Sequence, residues 1–178
     1  MPLDLPHLVD VHFSQQPPAI VQAWQPAPSQ GGVWYPHSST VSWGELMNSR
    51  HHIDQLASMP TDWDGYGALP ISQETKLNAL RALDVVTRRA PVPDIVPNSN
   101  GTLSFEWETA AGFGHLEIGQ TRFSFHLKPN AVGSKSILAD GQAADIPMNI
   151  GAYVSAVLFP ERLLANAVTQ IVFSGRHV

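Results

Sequence analysis

Three successive runs, "TLSFEWE" from Thr102, "HLEIGQ" from His115 and "TRFSFHLK" from Thr121, alternate apolar and polar residues with a period of two. Successive side chains of a strand point to opposite faces, so Leu103, Phe105 and Trp107 share one face, as do Leu116 and Ile118, and Phe123, Phe125 and Leu127. Turn signals punctuate the runs, "NSNG" before the first and "AAGFG" before the second, while Pro129 closes the third. The simplest assembly is an antiparallel β-meander of three or more strands with one apolar side. Helices must cover that side, which makes the chain α+β.

Two helices precede the meander. Over 41–59, Ser42 serves as cap and Trp43, Leu46, Met47, Ile53, Leu56 and Ala57 recur at near-helical intervals until Pro60 ends the run. In "SQETKLNALRALDVVTRRA", Ser72 caps, Glu74 suits the first turn, and Leu77, Leu80, Leu83 and Val86 form the expected buried stripe. Arg88 and Arg89 suit the negative end of that helix. After the meander, 129–145 reads as a polar connection with a short strand at Ser136–Leu138, and Asp145-Ile146-Pro147 reads as a helix entry. "MNIGAYVSAVLF" is nearly uncharged, so as a helix it is buried on most sides or lies at an interface; Pro160 ends it. A short helix and a strand at Val168–Phe173 are expected to follow.

Residues 1–40 differ in kind. Pro2, Pro6, Pro17, Pro18, Pro26, Pro28 and Pro36 each remove a backbone donor, so a regular domain does not start there. Yet Leu8, Val9, Val11, Phe13, Trp24, Trp34 and Tyr35 are too apolar for a solvated linker. The expectation is an arm over 1–40, with a short strand at "VDVHF", laid on a single α+β domain over 41–178.

Charge and composition exclude several function classes. Only 14% of residues are charged, the net charge is −5, and no Lys/Arg cluster exceeds Arg88-Arg89, which argues against gripping a phosphate backbone and hence against nucleic-acid binding. The absence of Cys removes disulfides, thiolate nucleophiles and zinc-thiolate sites. No basic-then-apolar leader and no run of about eighteen apolar residues occurs, so the expectation is a soluble, cytoplasmic chain without a membrane span.

Three constellations hold the polar chemistry. "DWDGYGALP" offers the Asp62 and Asp64 carboxylates, the Trp63 and Tyr66 faces, and Gly65 and Gly67 for close backbone approach. As a structural corner, Asp64 would accept local amide hydrogen bonds, the glycines would take positive φ, the aromatics would wedge the loop onto the core, and Pro70 would stiffen its exit. The structural reading is preferred, and the oxygen count is too low for a calcium loop. On the meander, Glu106, Glu108, His115, Glu117, Arg122, His126 and Lys128 share the polar face, as an ordinary solvated mixture or as a source of acid/base pairs. In "RHHID", His51 and Asp54 are three apart on a helix, but adjacent histidines diverge by about 100° on one turn, so an exposed pair is expected and no metal site. No GxSxG, GxxxxGK or GxGxxG signature is present.

"WDGYGALPIS" ahead of a helix and "PNSNGTLSFEW" opening a meander resemble a pattern in small uncharacterised bacterial and phage proteins, over roughly residues 61–128. Trp63, Asp64, Gly65, Tyr66, Gly67, Ala68 and Pro70, then Pro97, Asn100, Gly101, Glu106 and Trp107, carry it. The resemblance implies a coherent fold unit and no particular chemistry. Few charges and five Trp point instead to a non-catalytic, self-associating protein-binding module, in a regulatory, antitoxin-like or defence setting, with no cofactor. Trp24, Trp34, Tyr35, Trp63 and Tyr66 are the partner-binding candidates; the rival is a small hydrolase-like enzyme using Asp62 or Asp64 with Glu106, Glu117 and His126.

Overall fold

Alternation in the centre of the chain produces a five-stranded antiparallel sheet in the order β1-β2-β3-β4-β5. The strands are β1 (Asp94–Pro97), β2 (Leu103–Thr109), β3 (Gly112–Ile118), β4 (Arg122–Pro129) and β5 (Ile137–Gln142). The computed structural model describes residues 41–162. The arm over 1–40, with Trp24, Trp34, Tyr35 and the "VDVHF" strand, and the strand at Val168–Phe173 lie outside the described residues. The three strands read from the sequence form the middle of the sheet. Its two edges come from stretches with little alternation: "DIVP", which carries no pattern to read, and a β5 that runs on past Leu138.

Register makes one face wholly apolar. Leu103 faces Ile118 and Phe105 faces Leu116 across β2 and β3, and Leu116 faces Phe125 and Ile118 faces Phe123 across β3 and β4. All of these are buried. Burying one such side chain stabilises by about 1.5–3 kcal/mol, so this face supplies much of what opposes chain entropy. Trp107 closes one end, its indole N–H donating to the Pro91 carbonyl at 2.9 Å.

Helices α1 (Trp43–Ala57), α2 (Gln73–Val86) and α3 (Asn149–Leu158) cover this face. A reciprocal capping box starts α1: the Glu45 amide donates to Ser42 Oγ at 3.2 Å and the Ser42 amide to Glu45 Oε2 at 2.9 Å. Ser72 caps α2 without the reciprocal bond, its Oγ accepting from the Thr75 amide at 3.1 Å. The α2 stripe differs from the expected one. Leu77 is exposed and Leu80 half-buried, while Thr75, Asn78, Ala79, Ala82, Leu83 and Val86 are buried. Strict three-residue spacing drifts about 60° per step around a helix, so Leu77, Leu80, Leu83 and Val86 cannot share one face. The small Ala79 and Ala82 let α2 approach closely. Asn78 donates to the Gly119 and Gln120 carbonyls at 3.2 and 3.0 Å, holding the β3–β4 turn against the helix.

The apolar helix α3 lies between α2 and strands β2, β3 and β4, with Ile150, Gly151, Val154, Ser155 and Leu158 buried. Burial takes up one side of it, while Asn149, Ala152, Tyr153, Ala156 and Val157 are half-buried. Contact with α2 is close: a Cβ at Gly151 would stand 2.4 Å from the Val86 carbonyl oxygen. Among the described residues no helix is long and apolar enough to cross a membrane.

Gly151→Ala therefore forces α3 away from α2. Overpacking of this kind costs about 1–3 kcal/mol, and the expected outcome is a lowered midpoint in urea or thermal unfolding with native secondary structure retained. An unchanged midpoint would show that the helices can part without cost.

Candidate functional site

Residues 61–70 form a corner between α1 and α2 in which both carboxylates serve the backbone. Asp62 itself has φ of 64°, and its Oδ1 accepts from the Gly67 amide at 2.7 Å. Asp64 Oδ1 accepts from the Tyr66 amide at 2.8 Å and the Ala68 amide at 3.1 Å. Gly65 and Gly67 take φ of 75° and 92°, a region that costs L-residues strain. The Leu69 amide then donates to the Ser99 carbonyl at 2.8 Å, tying the corner to the β1–β2 turn, and Pro70 leads into buried Ile71. The aromatics do not both wedge into the core. Trp63 is half-buried, but Tyr66 is 95% exposed, and the apolar anchors are Ala68 and Ile71. With every corner amide needed for the turn held by a carboxylate or carbonyl, the tyrosine ring is free to face outward.

The sheet's outer face carries a second polar group. Glu106, His115 and His126 are adjacent across β2, β3 and β4, and Ser104, Glu117 and Ser124 form the neighbouring row. His115 Nε2 lies 2.9 Å from Ser104 Oγ and 4.0 Å from Glu106 Oε1, with Phe113 stacked against its ring. A serine–histidine–acid relay needs the acid at the other ring nitrogen; here one nitrogen faces both. Ser104 is buried and also accepts from Asn98 Nδ2 at 2.8 Å. Glu117 belongs to a separate knot, receiving Thr102 Oγ1 at 2.7 Å and Asn100 Nδ2 at 3.2 Å. The Thr102 hydroxyl bond holds the Glu117 carboxyl below the usual glutamate range, which makes it a poor proton acceptor. Asp62 and Asp64 sit in the corner and Glu106, Glu117 and His126 on the sheet, and their bonds are to separate groups. Asn98 and Ser104, which the alternation did not single out, bridge the β1–β2 turn to His115; their signal was only that small polar residues interrupt a face of long ones.

The α1 residues of "RHHID" also disperse. Arg50 pairs with Asp84 of α2, Asp54 with Lys76 at 2.7 Å, His51 with Gln55 at 3.2 Å, and His52 Nε2 reaches the Ile95 carbonyl of β1 at 3.1 Å. Among the described residues no group of three or more His, Asp or Glu side chains is placed to hold a metal ion.

A third surface lies where the first turn of α1, the last turn of α2 and the entry to α3 meet. Val41, Ser42, Trp43, Leu46, Asp84, Thr87 and Arg88 line an open, mainly apolar groove of about 200 Å³. Arg88 Nη1 donates to Met148 Sδ at 3.8 Å, which joins the start of α3 to it. Trp43 is 75% exposed and Met148 66% exposed. Trp43 heads the near-helical apolar recurrence of α1 but does not share its buried face. It stands roughly 80° around the helix from buried Ile53, and as the first residue of the helix it projects beyond the layer that packs on the sheet. The available signal was its place immediately after the Ser42 cap.

Comparison with family models, with curated proteins and with solved structures finds no match for the chain. These three surfaces carry the functional reading.

Because the folded pKa of Glu117 is lowered, the contribution of that carboxylate is present above its unfolded value and is lost as pH falls through the folded one. Thr102→Val removes the principal donor. NMR titration should then show the Glu117 carboxyl moving up toward the ordinary range, with acid unfolding starting at higher pH; an unmoved titration would mean that Asn100 alone sets it.

Proposed function

We propose that the chain is a non-catalytic protein-binding module whose partner seats on the groove around Trp43. Exposure of Trp43, Arg88 and Met148 together beside an apolar groove is the observation that supports this reading. Trp, Arg and Met are the residue types enriched at interface centres, and a Trp ring supplies a large contact area for the loss of few rotatable bonds. A solvated helix start has no need of an indole at its first position; serine, glutamate and glycine would serve the cap as well. Tyr66 and Leu69, exposed on the corner, offer a smaller second contact, while Trp63 has part of its surface committed to the loop.

The acid/base candidates support the same direction. Asp62 and Asp64 are engaged by backbone amides and Glu117 by Thr102 and Asn100, so each has a structural use for its charge. The regulatory setting, antitoxin-like or in defence, rests on the sequence reading alone.

The test is size and mass analysis of the chain purified from its host together with any co-eluting protein, followed by titration of that protein onto Trp43→Ala. An interface-centre Trp is worth about 2 kcal/mol or more, roughly a thirtyfold loss of affinity, with the unfolding midpoint unchanged because the side chain is exposed. Undiminished affinity in Trp43→Ala would overturn the groove as the binding site. A turnover that Asp64→Asn abolishes in a folded protein would overturn the non-catalytic reading.

A further inference from the structure

The two edges of the sheet are built differently. Hairpin bonds fix which residues of each strand point inward: the Gly119 amide donates to the Arg122 carbonyl, the Asn98 amide to the Thr102 carbonyl and the Ala143 amide to the Thr121 carbonyl. Carried along the register, these bonds turn Asp94 and Val96 of β1 toward β2, leaving Pro93, Ile95 and Pro97 at the outer edge. Pro93 and Pro97 have no N–H to offer, and the Ile95 carbonyl is taken by His52 Nε2. Proline and a capped carbonyl are how an edge is closed to further strands.

On the opposite side the same alternation turns Ile137, Ala139 and Gly141 toward β4 and leaves Leu138 and Asp140, flanked by Ser136 and Gln142, pointing outward. Among the described residues, no hydrogen bond satisfies these outward amides and carbonyls. The strand contains no Pro and no Lys, and its one charge, Asp140, is paired with Arg122 of β4. Nothing in its composition protects it.

We propose that β5 pairs antiparallel with β5 of a second copy, around a two-fold axis at Ala139, joining two sheets into one of ten strands. The strand is self-complementary in this register. Leu138 and Asp140 exchange backbone bonds with Asp140 and Leu138 of the second copy, Ile137 faces the hydrogen of Gly141, and Ala139 faces Ala139. A two-fold at Asp140 would set two carboxylates directly opposite, which destabilises a strand pair. Because β1 is sealed, β5 cannot pair with β1 of a neighbour, so growth stops at two and the assembly closes. This inference goes beyond the groove reading and does not rest on it.

Sedimentation of the full chain should give twice its 19.4 kDa mass. Leu138→Pro removes an outward N–H and no bond within the sheet, and should give a monomer with an unchanged circular dichroism spectrum. Ala139→Cys should oxidise to a disulfide-linked dimer, since facing residues of a non-hydrogen-bonded pair lie about 4.5 Å apart and the chain has no other Cys. Ser134→Cys, beyond the pairing, should remain uncrosslinked under the same conditions. A monomer across the micromolar range overturns the proposal, as does a dimer that survives Leu138→Pro or that Trp43→Ala dissolves. If Leu138→Pro fails to fold, crosslinking decides, and absence of the Ala139→Cys dimer overturns it.

Discussion

The register of the central strands is the constraint on which the rest of the molecule depends. A slip of one residue would carry Leu103, Phe105, Trp107 and their partners on β3 and β4 to the solvent side, so the pairing is held by the whole apolar face at once. That face then dictates the helical layer. Helix α3 lies directly on it, with glycine on both sides: Gly151 abuts the Val86 carbonyl of α2, where a Cβ would stand 2.4 Å away, and a Cβ at Gly114 of β3 would crowd the end of the Leu158 side chain at 3.3 Å. Helix α2 lies close through Ala79 and Ala82 for the same reason. The cover is thus selected for closeness as much as for hydrophobicity.

Sequence made the centre of this arrangement legible because half-buried strands print their burial as alternation. It did not show β1, whose four residues contain a proline and too few positions for a period, nor the full β5, where "ILADGQ" mixes small, polar and apolar residues. Both edges owe their place to pairing with a neighbour, which a local pattern does not encode. Helix existence and caps were legible through Ser42 and Ser72. Helix faces were less so: leucine drew the α2 stripe three residues at a time, whereas burial follows the mixed three- and four-residue steps that place Thr75, Asn78, Ala79, Ala82, Leu83 and Val86 together. Trp43 belongs to the apolar recurrence of α1 but not to its buried face, because hydrophobicity alone does not mark a core position.

Structural polar groups are distinct from the available surface. The corner carboxylates, Asn78, His52 and the Glu117 knot each bind a particular backbone or side-chain partner, and together they pin loops to the two layers. Two of the remaining surfaces are mainly apolar or backbone: the Trp43 groove at three helix ends and the outer edge of β5. These are the two surfaces we propose for other polypeptide, one through side chains and one through main-chain hydrogen bonds.

Amide hydrogen exchange, resolved residue by residue over a range of concentrations, tests the register most directly. Along β5, Ala139 and Gly141, bonded to β4, should exchange slowly at every concentration, whereas Leu138 and Asp140, facing outward, should be protected only while a second copy is bound and exchange at rates near those of unstructured peptide once dilution gives the monomer. Protection of Leu138 and Asp140 in place of Ala139 and Gly141, at any concentration, would contradict the register and everything built on it.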